Sequence, residues 1–148
     1  MKSNREVTKL ANYFDVIIKK AQDFSEIKEI EENRMIANVK SGLLEFISSI
    51  DSIFKNLSLS EAAKAKYIEQ LNRIKTTNDD LIDAFKKDRK KSNLSVIYSN
   101  LSIVYDWFKE QFLFKNMSPE TVLALKNMAV LAFKKIVPKL KDLYRIAK

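Results

Sequence analysis

Residues 36–57, IANVKSGLLEFISSIDSIFKNL, give the clearest indication of the fold class. Their apolar side chains recur every three or four positions, which is the spacing that places side chains on one face of an α-helix. A helix with one apolar face is stable only when other elements cover that face. The stripe in this segment consists of Ile36, Val39, Leu43, Ile47, Ile50, Phe54 and Leu57.

The composition of the whole chain predicts that the covering elements are also helices. The 148 residues include one glycine and two prolines, whereas sheets joined by tight turns need many such residues. Hydrophobic residues make up 46% and charged residues 31%, a balance typical of a soluble globular protein. We therefore expect an all-α protein with one domain that spans residues 1–148.

Periodicity and capping signals predict a bundle of five to seven helices. The segment LSVIYSNLSIVYDWFKEQFLF, residues 94–114, is apolar on nearly every side, so we expect a central helix at about 93–115 around which the others pack. A bend or break is expected near 31–34, and Pro138 is expected to kink the last helix or to begin a new one. The predicted helices lie at residues 4–22, 25–56, 58–75, 79–91, 93–115, 118–137 and, after a break at Pro138, 138–148.

The chain contains no cysteine and no histidine, which excludes several kinds of chemistry. Disulfides, zinc–thiolate sites and thiol nucleophiles need cysteine, and histidine is the commonest general base and transition-metal ligand. With one glycine, a glycine-rich phosphate loop is excluded as well. We therefore expect a protein that is not an enzyme and that has no cofactor and no metal site.

One acidic pattern favours the opposite view. Glu29 and Glu32 form one pair with i, i+3 spacing, and Asp80 and Asp83 form another. Such pairs on facing helices can hold Mg²⁺, and all-α nucleotide pyrophosphohydrolases use a similar pattern. The long gap between the pairs favours the simpler interpretation that these carboxylates lie near helix N-termini, where they are stabilising.

The formal charge of +8 raises the question of an anionic partner. If the last helix continues past Pro138, five basic residues share one face and the apolar residues lie on the other. This face is either a surface that follows phosphates without reading sequence, or the solvated side of a packed helix, or a contact with an anionic membrane. The five residues are Lys126, Lys134, Lys141, Arg145 and Lys148.

A second basic run lies at the expected end of the fourth predicted helix. Cations there stabilise the helix dipole, so the run also has a purely structural explanation. The sequence leaves open whether the two runs are neighbours. A helix-turn-helix at residues 58–91 is a weaker alternative, because three aspartates would occupy the start of its recognition helix. The basic residues of this run are Lys86, Lys87, Arg89, Lys90 and Lys91.

These observations favour a non-catalytic binding protein. The leading prediction is contact with nucleic-acid phosphates without strong sequence specificity, through the ten basic residues of the two runs. The first alternative is an inhibitor, an immunity-type protein or an adaptor that binds an acidic protein surface. The second is an oligomeric structural protein, such as a homodimer formed through an exposed Phe46 or Ile53. No signal-peptide core and no membrane span is evident, so we expect a cytoplasmic protein.

Overall fold

The computed structural model describes residues 2–109 and 117–148, and this part of the chain is all-α. It contains the helices α1 (Lys2–Lys55), α2 (Glu61–Lys87), α3 (Lys91–Lys109) and α4 (Pro119–Ile146). The chain divides into two compact units, Met1–Arg34 and Met35–Lys148. The prediction of a single domain at 1–148 is not tested by this division and stays a prediction.

The second unit is a bundle in which residues 35–55 of α1 contact the three other helices. Phe54 stacks on Tyr67 of α2 with ring centroids 5.1 Å apart, and it meets Trp107 of α3 edge-on at 5.6 Å. Phe46 meets Phe133 of α4 edge-on at 5.0 Å. The predicted stripe at residues 36–57 is confirmed, because all seven of its residues are buried.

The predicted number of helices is wrong in its detail, because three expected interruptions do not occur. The helix α1 continues through residues 31–34, α2 continues through residues 76–78, and α4 continues through Pro138. Since α2 has no turn there, the two separate helices of a helix-turn-helix do not form at 58–91. Pro138 is tolerated because it lies on the exposed side of α4, where water can satisfy the carbonyl group that lacks a partner.

The prediction of a central apolar helix at 93–115 is also wrong in the described part. The helix α3 buries one face, while Val96, Tyr98, Ile103 and Tyr105 are each about half exposed. Residues 110–116 of the predicted central helix lie outside the described residues. Residues 35–55 of α1 hold the place that the sequence assigned to this helix, since they are the segment that contacts the three others.

Serine residues begin two of the helices. Ser118 caps α4, because its Oγ accepts a hydrogen bond from the backbone N–H of Thr121 at 3.2 Å, and Pro119 follows at the first helical position. This start was predicted. Ser60 caps α2 in the same way through the N–H of Ala63, two residues later than the predicted start at residue 58.

Candidate anion-binding surface

The C-terminal end of α4 lies beside the turn between α2 and α3. The backbone N–H of Lys148 donates a hydrogen bond to the carbonyl oxygen of Arg89, with an N–O distance of 2.6 Å. The hydroxyl groups of Tyr144 and Ser95 are 3.4 Å apart and join the same two regions. The fold therefore brings the second basic run next to the C-terminal part of the first, which the sequence left open.

Seven of the ten predicted site residues belong to this region, and we call them the basic end. Six of them are plainly exposed, and each projects from a helix end or from the α2–α3 turn. The acids nearest in sequence are already paired, since Asp88 lies 3.4 Å from Lys90 and Asp142 lies 3.4 Å from Arg145. The basic end consists of Lys86, Lys87, Lys90, Lys91, Lys141, Arg145 and Lys148.

The burial pattern of α4 explains why its basic residues face solvent. Its buried residues recur every three or four positions and define a single core-facing stripe. The basic residues lie on the opposite side, as predicted, and continuity through Pro138 keeps this alignment to the end of the helix. Met128 departs from the prediction, because its side chain is 41% exposed. The stripe consists of Leu125, Ala129, Ala132, Ile136, Leu140 and Leu143.

Arg89 has a structural task that sequence reasoning missed. Its guanidinium donates hydrogen bonds to the carbonyl oxygens of Phe85 at 3.0 Å and Lys86 at 2.6 Å, which are at the end of α2. It also lies over the Phe85 ring, 5.5 Å from the ring centroid. These contacts satisfy helix carbonyls that would otherwise lack donors, so Arg89 holds the turn in shape. Its position just after the helix end was the available signal.

The start of α3 adds to the positive field of the basic end. No acidic residue lies in the first turn of α3, and the helix begins with Lys91. The N-terminus of a helix carries a partial positive charge, so a lysine there is electrostatically unfavourable for the helix alone. The same arrangement favours an anion, because it adds backbone N–H groups to the cationic side chains.

Lys126 and Lys134 are separated from the basic end along α4. The helical rise places Lys126 about 33 Å from Lys148 and Lys134 about 21 Å from it. Both residues line a groove between α3 and α4, with Tyr105 and Phe133 among its apolar residues. This groove encloses about 310 Å³ and is continuous through the same two aromatic residues with a second hollow of about 260 Å³.

The acidic pairs of the enzyme alternative have other surroundings. Asp83 accepts a hydrogen bond from the Lys40 ammonium at 3.0 Å. This hydrogen bond and the negative charge of Asp83, with smaller contributions from Asp79 and Asp80, raise the pKa of Lys40 above its ordinary value. Within residues 2–109 and 117–148, no group of three or more acidic side chains is arranged to hold a metal ion.

Comparison with protein-family models, with curated proteins and with solved structures gave no match. None of the described helices is both long enough and apolar enough to cross a membrane.

Proposed function

We propose that this protein is a non-catalytic binding protein whose basic end contacts the phosphates of a nucleic acid without strong sequence specificity. The observation that supports the proposal is the hydrogen bond between the Lys148 N–H and the Arg89 carbonyl oxygen, which joins the two basic runs into one surface. Neither run alone distinguishes a binding surface from a solvated helix face.

Charge is concentrated in the unit that carries this surface. Residues 1–34 contain seven basic and seven acidic residues, so the whole net charge of +8 belongs to residues 35–148. Within that unit, residues 86–91 contain five bases and one acid, and residues 139–148 contain four bases and one acid. Lysine side chains on a convex surface contact phosphates as point charges, which gives affinity but little base discrimination.

The test is a fluorescence-anisotropy titration with labelled duplex DNA, single-stranded DNA and RNA at several salt concentrations. We expect binding that weakens steeply with salt, because each neutralised phosphate releases counterions. In a variant carrying Lys91→Glu and Lys148→Glu, the salt slope is expected to fall by about 2, since two phosphate contacts are lost. Glutamate at position 91 suits the start of α3, so this variant is expected to fold.

A variant with Lys66→Glu and Lys75→Glu provides the matched control. It has the same net charge as the first variant, and both of its substitutions lie on exposed positions of α2 before the last turn. If the basic end is the binding surface, the control binds nearly as well as the unaltered protein. Equal losses in the two variants would show that only net charge matters, and undetectable binding at moderate salt would refute the proposal.

A second candidate function is the binding of a partner protein in the groove between α3 and α4. The groove has an apolar floor that includes Val130 and Phe133, and Lys126 and Lys134 line it. This combination suits an apolar segment that carries acidic residues. Inhibitors and adaptors bind through surfaces of this kind, so the groove gives the protein-interaction alternative a specific location.

Partner capture after nuclease treatment tests this candidate. A Val130→Glu variant places a charge on the groove floor, whereas Val96→Glu places the same charge on an exposed part of α3 that does not line the groove. The candidate requires a protein that is captured in stoichiometric amount, lost with Val130→Glu and retained with Val96→Glu. Capture that is indifferent to both substitutions would contradict it.

A further inference from the structure

The first unit, residues 1–34, carries an apolar stripe that nothing in this unit covers. Every described residue from Asn4 to Glu31 is exposed, including large side chains such as Val7 at 66%, Phe14 at 53% and Phe24 at 71%. A helix whose apolar residues all lie in water is stabilised when another apolar face covers them. The stripe consists of Val7, Leu10, Phe14, Ile17, Ile18, Ala21 and Phe24.

The spacing of this stripe is that of a coiled coil. Six of its residues follow one another at intervals of three, four, three, four and three, which is an unbroken heptad pattern from Val7 to Phe24. On a helix with 100° per residue, all seven stripe residues fall within about 120°. Val16 lies about 140° from the centre of the stripe, so it belongs to the opposite side of the helix.

The charges along the same helix are divided between its two halves. Residues 1–20 contain five bases and two acids, whereas residues 21–34 contain five acids and two bases. Two parallel copies would place like-charged halves together. Two antiparallel copies place each positive half beside a negative half, at separations comparable to the Debye length in physiological salt.

The sizes of the stripe residues favour the same orientation. About a centre between residues 15 and 16, antiparallel copies pair Val7 with Phe24, Leu10 with Ala21 and Phe14 with Ile17. Each layer then combines a larger with a smaller side chain, which fills space evenly. Parallel copies would instead place alanine against alanine in one layer and phenylalanine against phenylalanine in two others.

We propose that the stripe at residues 7–24 binds the same stripe of a second copy of this chain, in an antiparallel two-helix coiled coil. The even balance of charge in residues 1–34 distinguishes this helix from the cationic amphipathic helices that attach to anionic membranes. The proposal concerns association only and is independent of the anion-binding proposal, which rests on residues of the other unit.

Sedimentation across a concentration series from low to high micromolar measures the assembly. We expect a reversible change from the monomer mass to twice that mass. An Ile17→Asp variant, with a charge in the stripe, is expected to stay monomeric, whereas Val16→Asp is expected to dimerise like the unaltered chain. Retention of the dimer in both variants, or its loss in both, would overturn the assignment to this face.

Cysteine cross-linking determines the orientation, because the chain has no cysteine of its own. Chains carrying Leu10→Cys and Ala21→Cys are oxidised separately and after mixing. Antiparallel pairing predicts a disulfide-linked dimer only in the mixture, whereas cross-linking of each variant with itself would overturn the proposal. A chain that stays monomeric but floats with vesicles of phosphatidylcholine and phosphatidylglycerol would also overturn it and would assign the stripe to membranes.

Discussion

Replacing Phe54 with alanine tests whether the bundle is organised as the structure indicates. The ring of Phe54 has no exposed surface, and it contacts Tyr67 at 5.1 Å, Trp107 at 5.6 Å and Phe108 at 5.8 Å between ring centroids. These contacts join three of the four helices. The substitution therefore removes apolar burial and three ring pairs at one site.

The expected loss of stability is about 4 kcal/mol. Substitutions of buried phenylalanine by alanine cost about 3–5 kcal/mol, and each ring pair adds about 0.5–1.5 kcal/mol beyond its buried area. We take the middle of the first range because the neighbouring rings can relax in part into the space. For a urea dependence of about 2 kcal/mol per molar, the unfolding midpoint falls by about 2 M.

The fluorescence of Trp107 reports the transition, because this residue is the single tryptophan of the chain and is 7% exposed. Since Trp107 touches Phe54, far-ultraviolet circular dichroism is recorded in parallel to separate a change of signal from a change of stability. Phe14→Ala is the control, with an expected effect on this transition within about 0.5 kcal/mol because its ring is exposed. A Phe54→Ala midpoint within about 0.5 M of that of the unaltered protein would refute the proposed core.

Three further predictions concern single positions, and urea unfolding measures each of them. Ser118→Ala removes the cap of α4 and is expected to cost about 1 kcal/mol. Gly42→Val is expected to cost about 1–3 kcal/mol, because even a Cβ at Gly42 would lie 3.1 Å from Ile136 Cδ1. The raised pKa of Lys40 predicts that its bond to Asp83 stabilises the fold below pH 10.5 and that this contribution disappears as pH rises through the raised value. Lys40→Met should remove that alkaline pH dependence, and an unchanged dependence would contradict the assignment.

The buried faces of the helices could be predicted from the sequence because they depend on local spacing. The stripe at residues 36–57 and the core-facing residues of α4 repeat every three or four positions, and no knowledge of the partner is needed to find them. Phe46 and Ile53 show the limit of this reasoning. They were expected to be exposed at a dimer interface, but both are buried, because α1 meets helices on more than one side and its buried face is wider than a single stripe.

The helix boundaries were less predictable because local preferences are weak compared with burial. Residues 76–78, Thr-Thr-Asn, disfavour a helix interior by less than about 1 kcal/mol each. Thr76 bonds to the carbonyl oxygen of Asn72 within the helix, and the buried Asn78 accepts a hydrogen bond from Asn100 of α3 at 3.0 Å. That bond spans 22 residues, so no local pattern could indicate that Asn78 continues the helix instead of ending it.

The candidate surface divides in the same way. Exposure of the basic residues on α4 follows from the periodicity of its core-facing residues, and it was predicted. The contact of Lys148 with Arg89 joins residues 59 positions apart in the sequence, and it depends on how α3 and α4 pack. The contact also separates Arg89, which holds the turn, from its neighbours Lys90 and Lys91, which composition alone treats as equivalent.

The distribution of charge connects the two proposals without making either depend on the other. Residues 1–34 are balanced in charge but divided into a positive and a negative half, which favours antiparallel association of copies. Residues 35–148 carry the entire excess of +8, which favours an anionic partner. If both proposals hold, each dimer presents two basic ends. A polyanion long enough to reach both then binds more tightly than a short one, through a raised effective concentration and not through new contacts. Ile17→Asp would abolish that advantage of length while leaving the affinity for short ligands unchanged, because the substitution lies outside the unit that carries the basic end.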